Sequence, residues 1–315
     1  MAKYDYGYES SRVAAGTAVF ELGQKSDKIW GVTSDIGGSL KKFRESWPDR
    51  FVDTGIAEQT ATGIAAGLAI EGFKPYIIGM IPFLTMRAFE QVRTDIDYQN
   101  LPVTIIGTGG GLVSTGGATH NAMEDVSLMR TLANMTVVSV SDPNMIKLLI
   151  HKSLNLKGPL FIRQGGGKSD RVIYEPGSYD VDFGKGLVAR PGKDATIIVH
   201  GALVAEALDV AEALSADKID VRVIDMYSIK PIDKALILAA VKETGNILVV
   251  EDHLKRGGLF SAVAEVLVEE GVQPKKFKAL GVPDLYAGYG PGEELREKYG
   301  YGKTAVAKTI REFLK

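Results

Sequence analysis

The feature that narrows the fold most is an alternation of short, fully apolar, β-branched runs with longer stretches of helical spacing. IWGVTSD begins at residue 29, KPYIIGMI at 74, LPVTIIGT at 101, MTVVSVSD at 135 and PLFIRQ at 159. None alternates apolar with polar, so each is expected to be a strand covered on both faces. Between them, AFEQVRTDIDYQ from 88 and PNMIKLLIHKSL from 143 carry apolar residues three and four apart with charges between, as amphipathic helices do. Such an alternation predicts a doubly wound, parallel α/β sheet. From about Gly165 to Asp194 the pattern lapses into glycine, proline and charge, then restarts with ATIIVHG, a helix over 203–215, DVRVIDMYSI, a helix ending before Gly245, NILVVEDH and a helix from Leu259. The expectation is two α/β domains, 1–180 and 194–315, joined by a linker over 181–193.

Composition mainly excludes. With 45% hydrophobic residues in 315, the chain can fill two cores of ordinary domain size. Its 37 basic and 39 acidic side chains leave a net charge of −2, which gives no general attraction to nucleic acid or to an anionic membrane. The absence of cysteine removes disulfides, zinc–thiolate sites and thiol nucleophiles together. The longest uncharged stretch, Tyr98 to Met123, is broken by a glycine-rich run and does not read as a membrane span. The opening MAKYDYGYESSR has neither an apolar nor an Arg-rich targeting pattern, so a cytoplasmic location is expected.

Several familiar signatures fail on inspection. GTGGGLVSTGG has Gly107 and Gly109, but Leu112 stands where a dinucleotide fingerprint needs its third glycine. GGGKS at 165–169 imitates the end of a phosphate loop whose first glycine would fall at Ile162. The four histidines lack metal-ligand spacing, and His151, His200 and His253 read as ordinary structural or surface residues.

The informative segment is Asp53 to Gln59, DTGIAEQ, running into TATGIAAGLAIEG. From Thr54 to Ile70, Glu58 is the only ionisable side chain, on a helix whose small residues permit close approach by another helix. Two environments suit it. Either the carboxyl is desolvated, with a raised pKa and a need for a partner, or it sits solvated in the first turn, complementing the helix dipole. A second cluster, IPFLTMRAFEQ from Ile81 to Gln91, directly follows a strand, where α/β folds place binding loops, although Phe83 there could equally be core. A third, STGGATH at 114–120, puts His120 on a glycine-rich loop. There a backbone can approach a ligand and an imidazole can exchange protons near neutral pH. Arg163 at the end of PLFIRQ, with Arg12 and Ser39 on other segments, offers groups suited to an anion.

The order FVDTGIAEQ, AFEQVR, ATHNAMEDVSLMR, PLFIRQ, RVIDMYSIKPID and VVEDH with a following GG resembles the C-terminal half of the transketolase family across essentially the whole chain. It is more closely similar to the separate C-terminal subunit of two-subunit members. The resemblance implies a thiamine-diphosphate pyrimidine-binding domain followed by a smaller C-terminal domain. It further implies cofactor contacts from Asp35, Ile56, Glu58, Phe83 and Arg87. Glu58 would meet the ring nitrogen of the aminopyrimidine, and Phe83 would stack on that ring. Arg12, Ser39 and Arg163 match positions that hold the substrate phosphate, and His120 matches a substrate-facing histidine, so Glu58 and His120 are the candidate catalytic pair. Two positions depart from the family pattern: Gly116 replaces an acid that recognises a sugar hydroxyl, and Thr108 replaces a second histidine. Both make the donor sugar an open question, with branched or sulfonated ketoses among the candidates.

The family's GDG motif, which with a following Asn holds Mg²⁺ and the diphosphate, does not occur in this sequence. The expectation is therefore a separate N-terminal, diphosphate-binding subunit that holds most of the Mg²⁺ site, in an α₂β₂ assembly acting on sugar phosphates. Rival readings are the β subunit of a 2-oxo acid dehydrogenase E1 component, an enzyme like 1-deoxy-D-xylulose-5-phosphate synthase, and a non-catalytic assembly subunit.

Overall fold

The computed structural model describes residues 4–112, 117–165 and 169–315. In the first half the apolar runs become β1 (Ile29–Thr33), β2 (Phe51–Asp53), β3 (Lys74–Met80), β4 (Thr104–Thr108), β5 (Thr136–Ser139) and β6 (Leu160–Arg163). The second half supplies β7 (Leu187–Arg190), β8 (Ala195–Val199), β9 (Val221–Asp225), β10 (Ser228–Lys230), β11 (Asn246–Leu254) and β12 (Lys276–Val282). Besides a two-stranded antiparallel ribbon of Tyr8–Glu9 with Asp170–Arg171, two larger sheets form, in the orders β10-β5-β6-β4-β3-β1-β2 and β12-β11-β8-β9-β7. All neighbours pair in parallel except at two edges, where β10 lies antiparallel to β5 and β7 antiparallel to β9.

Those edges depart from the simplest sequence reading. DVRVIDMYSI reads as one strand, yet the chain leaves the second sheet after Asp225 and joins the first at Ser228. Leu187–Arg190, inside the segment expected as linker, pairs along β9.

Burial explains why the strands are uniformly apolar. Successive residues of β3 face opposite ways: Tyr76 and Ile78 join a core with Ala14, Ala18 and Leu22 of helix α1 (Ser11–Lys25), whereas Ile77 joins one with Ala61 and Ala65 of helix α2 (Glu58–Ile70). Each fully buried Ile or Leu side chain contributes roughly 1.5–3 kcal/mol, and a strand with helices on both faces buries every residue. Helix α3 (Pro143–Ser153) is started by Asp142, which accepts the Asn144 and Met145 amides, with Pro143 in the first turn, where its missing N–H costs nothing. No helix among the described residues is long and apolar enough to cross a membrane.

Two close contacts fix how these elements sit against one another. Helix α1 lies so close to the turn Gly37–Leu40 that a Cβ at Gly16 would stand 1.8 Å from the Ser39 carbonyl oxygen. Arg12 and Gly16 are one helical turn apart, so this contact also sets Ser39 relative to Arg12. At the junction of the sheets, the fully buried Asp225 accepts hydrogen bonds from Ser141 of the first domain and from Tyr174. Burial pushes its carboxyl up to about 7, against those hydrogen bonds and with Asp142 adding repulsion.

Gly16→Ala should lower stability by about 1–3 kcal/mol through overpacking, read as a reduced denaturant midpoint. For Asp225, a folded-state pKa above the unfolded one means that its stabilisation is complete below about pH 4 and is lost as pH rises through about 7. Asp225→Asn should therefore flatten the decline in unfolding free energy across that window, measured by urea titration of both proteins.

Candidate active site

The candidate residues gather at the carboxyl ends of the first sheet's strands, where open α/β sheets form their crevice. Glu58 opens α2 and its side chain is only 3% exposed. Of the two environments open to it, the structure shows the desolvated one, and the required partner is present: Arg87 Nη1 donates to Glu58 Oε2 at 2.6 Å. Among the described residues no donor reaches the other carboxylate oxygen. The Arg87 guanidinium also lies over the Phe83 ring, 4.4 Å from its centroid, a cation–π contact. The opposite element is an imidazole: the rings of Phe83 and His120 meet edge to face, with centroids 5.1 Å apart.

The stretch Ile81 to Arg87 is not the loop expected from sequence, and it runs on into the helix expected from Ala88. It is helical, and Phe83–Arg87 and Val92–Asp97 form wide π turns. Such turns are rare and concentrate at functional sites. Here the first of them presents Phe83 and Arg87 together, while Leu84 and Thr85 are buried beneath. Phe83 itself is half-buried and outside the core clusters, which sets aside its reading as a core residue.

Asp35 and Ile56 are organised by a residue that sequence reasoning passed over. Asp53 Oδ1 accepts the amides of Asp35 at 3.1 Å and Gly55 at 3.0 Å. It thereby holds Asp35 in a left-handed conformation, φ 60°, and leaves Ile56 72% exposed at the mouth of the crevice. The signal was available in the DTG run, since a short acid commonly accepts from amides in a following turn.

Arg12 reaches across from α1, donating to Thr108 Oγ1 at 3.3 Å and lying 3.8 Å from Met80 Sδ. Its Nε is buried without a partner, so the guanidinium is incompletely satisfied and suited to an anion. Thr108 is fully buried beneath it. Gly116 lies outside the described residues.

Arg163 is held largely by the protein itself. Its side chain is 4% exposed, with Nε on Asp125 Oδ2 at 2.8 Å and Nη2 on the carbonyls of Ala122 (3.2 Å) and Asp252 (2.9 Å). Nε and Nη2 are thereby committed to the protein, and breaking the first contact would leave Asp125 as an uncompensated buried charge, while Nη1 has no hydrogen-bond partner among the described residues. His200 and His253, also read as ordinary residues, are both fully buried near this seam, where desolvation lowers their pKa values. His151 pairs with Glu21. No cluster of three or more His, Cys, Asp or Glu suited to a metal occurs among the described residues.

Comparison with known proteins bears on this geometry. The transketolase pyrimidine binding domain matches residues 10–166, and the transketolase C-terminal domain matches residues 184–306. One of the subunits of the apulose-4-phosphate transketolase of Phocaeicola vulgatus is 36% identical over 300 residues, covering 94% of this chain and 95% of that protein. The chain belongs to the transketolase family. A 1-deoxy-D-xylulose-5-phosphate synthase of Geobacter metallireducens is 35% identical over 302 residues, but this chain spans only 48% of its length, and about half of the other such synthases it matches. Among solved structures, a split-gene transketolase described as an inactive β4 tetramer superposes with a TM-score of 0.88 at 37% identity, covering 97% of this chain and 98% of that one. This transketolase-family chain thus carries the two domains of a transketolase C-terminal section.

The Glu58–Arg87 pair should show in a double-mutant cycle. Each of Glu58→Gln and Arg87→Met should cost more alone than in combination, with a coupling of about 1–2 kcal/mol, discounted because the Arg87 side chain is 42% exposed. Chemical denaturation of the four proteins gives the value.

Proposed function

We infer that this chain is the pyrimidine-side subunit of a two-subunit, thiamine-diphosphate-dependent ketol transferase, with Glu58 and His120 as its catalytic residues. The observation that carries the reading is the Glu58 carboxylate, buried, held at one oxygen by Arg87 and open at the other, beside the Phe83 ring. That donor set fits an aminopyrimidine, which needs a carboxyl group at a ring nitrogen and an aromatic face. Thiamine diphosphate, when bound, supplies a carbon nucleophile for a ketose carbonyl and a sink for the electrons released when the carbon–carbon bond breaks.

The chain's own residues do the rest. Glu58 holds and returns a proton at the ring nitrogen, and Arg87 fixes its position. Phe83 provides the stacking face, and Asp35 and Ile56 close the crevice around the ring. His120, edge-on to Phe83, donates to or accepts a proton from a sugar oxygen. Arg12, with Ser39 nearby, takes the anionic end of the substrate, since its Nε lacks a protein partner. Thr108, buried beneath Arg12, accepts from that guanidinium and so helps to place it, and apulose-4-phosphate, named for the Phocaeicola relative, ends in the kind of anion Arg12 would take.

The diphosphate and Mg²⁺ belong mainly to a separate N-terminal subunit, in an α₂β₂ assembly. Supporting this are the subunit naming of the Phocaeicola relative and a similar split-gene chain that is inactive as a β4 assembly. On α2, Gly63 and Gly67 face open space, and Ile70 beside them is 59% exposed, an uncharged stripe suited to another helix. A second reading, condensation with loss of CO₂, is favoured by the synthase relatives.

Mixing this chain with a diphosphate-binding partner of about 270 residues, a size chosen to complete the family's two halves, should restore two-carbon transfer from phosphorylated, branched or sulfonated ketoses without CO₂ release. Glu58→Gln should lower kcat by on the order of 10²- to 10⁴-fold. Turnover unchanged by this substitution would instead mark the chain as an assembly subunit, and CO₂ release would select the second reading.

A further inference from the structure

The VVEDH run closes β11 in the second domain, and no role in the site just described uses it. Its Asp252 is 5% exposed and sits at the point where the second domain touches the His120 segment. Leu112, ahead of that segment, donates its amide to Asp252 Oδ1 at 3.1 Å. Met123, behind it, accepts at its carbonyl from the Leu254 amide at 2.9 Å. Two residues of one strand in the second domain thus hold both flanks of a segment that belongs to the first. The base of the segment is closed by Gly111 and Ala122, which exchange backbone hydrogen bonds of 2.8 and 3.3 Å. Gly111 has φ +78°, and a Cβ there would stand 2.3 Å from the Asp252 carboxylate, so the backbone is pressed onto that side chain.

Packing gives the same result. Leu112 and Met123 belong to the second domain's hydrophobic core, with Leu203, Val250 and Tyr301, rather than to either core of the first. The backbone at Gly292 lies against the Leu112 carbonyl, and the Tyr289 ring reaches Gly117, three residues before His120. The Asp252 carboxylate is itself fixed, accepting from Tyr301 Oη at 2.9 Å and lying 3.5 Å from Arg296 Nη1. Among the described residues the Leu112 amide has no other acceptor, and a buried amide left unpaired costs about 1–3 kcal/mol.

We propose that Asp252 is a positioning residue: acting from the second domain through the Leu112 amide, it sets where the His120 ring stands against Phe83. The inference rests on the reading of His120 as substrate-facing only for its effect on turnover, not for its effect on geometry. Displacement of a reacting group by ~1 Å can cost on the order of 100-fold in rate.

The test uses the full chain and the edge-to-face contact of Phe83 with His120, which gives the imidazole protons a ring-current shift; Phe83→Leu supplies the value without it. In Asp252→Ala, folded by circular dichroism, the His120 resonances should move toward the Phe83→Leu position. Asp252→Asn keeps an oxygen for the Leu112 amide and should restore the wild-type shift. With the partner subunit, kcat should fall ~10- to 100-fold in the alanine variant and recover in the asparagine variant. Should the alanine variant fail to fold, Asp252→Glu, which keeps the charge but moves the carboxylate, serves in its place. An unchanged His120 shift in a folded variant overturns the proposal even if His120→Gln abolishes turnover. A moved shift with full activity in His120→Gln supports the positioning and removes the catalytic role of His120 instead.

Discussion

A guanidinium and a carboxylate sealed from water at the meeting of the two domains set the terms for the rest of the molecule. Arg163 and Asp125 are both essentially buried, so neither charge can be left alone: removing one partner of such a pair costs on the order of 3–5 kcal/mol. Nη2 of Arg163 donates to the carbonyls of Ala122 and Asp252, one in each domain. A single planar group therefore relates β6, the segment behind His120 and the end of β11 to one another. Domain placement and site geometry are, through it, one problem.

The crevice solves a different problem with the same chemistry. A carboxyl on a helix of alanine, glycine and threonine would be an unsatisfied charge, and Arg87 satisfies it from a π turn that also carries Phe83. The extra residue in each wide turn changes which side chains share a face. Phe83 and Arg87, four apart, share one face as such pairs do on any helix, so the guanidinium lies over the ring and one Glu58 oxygen is left open.

Much of this was legible beforehand, for stated reasons. Uniformly apolar runs alternating with amphipathic helices leave few architectures, and the two parallel sheets follow from them. The isolation of Glu58 among small neutral residues was visible as a letter pattern and demanded a partner. What remained hidden was long-range. The π turns arise from tertiary packing rather than from any local propensity, so IPFLTMR read as a loop. The crossing of Ser228–Lys230 to the other sheet depends on an open edge next to β5, which no local pattern in DVRVIDMYSI announces. Nothing in PLFIRQ shows that Asp125 lies 2.8 Å from the Nε of Arg163.

The sequence alone determined the alternating α/β class, the chemical identity of the crevice residues and the family to which they belong, because periodicity and side-chain type are local properties. Only the tertiary structure decided that Arg12 Nε is buried without a partner, where Asp252 meets Leu112, and how His120 comes to face Phe83. Those outcomes depend on desolvation, and whether a polar group is removed from water is settled by distant parts of the chain arriving at the same place.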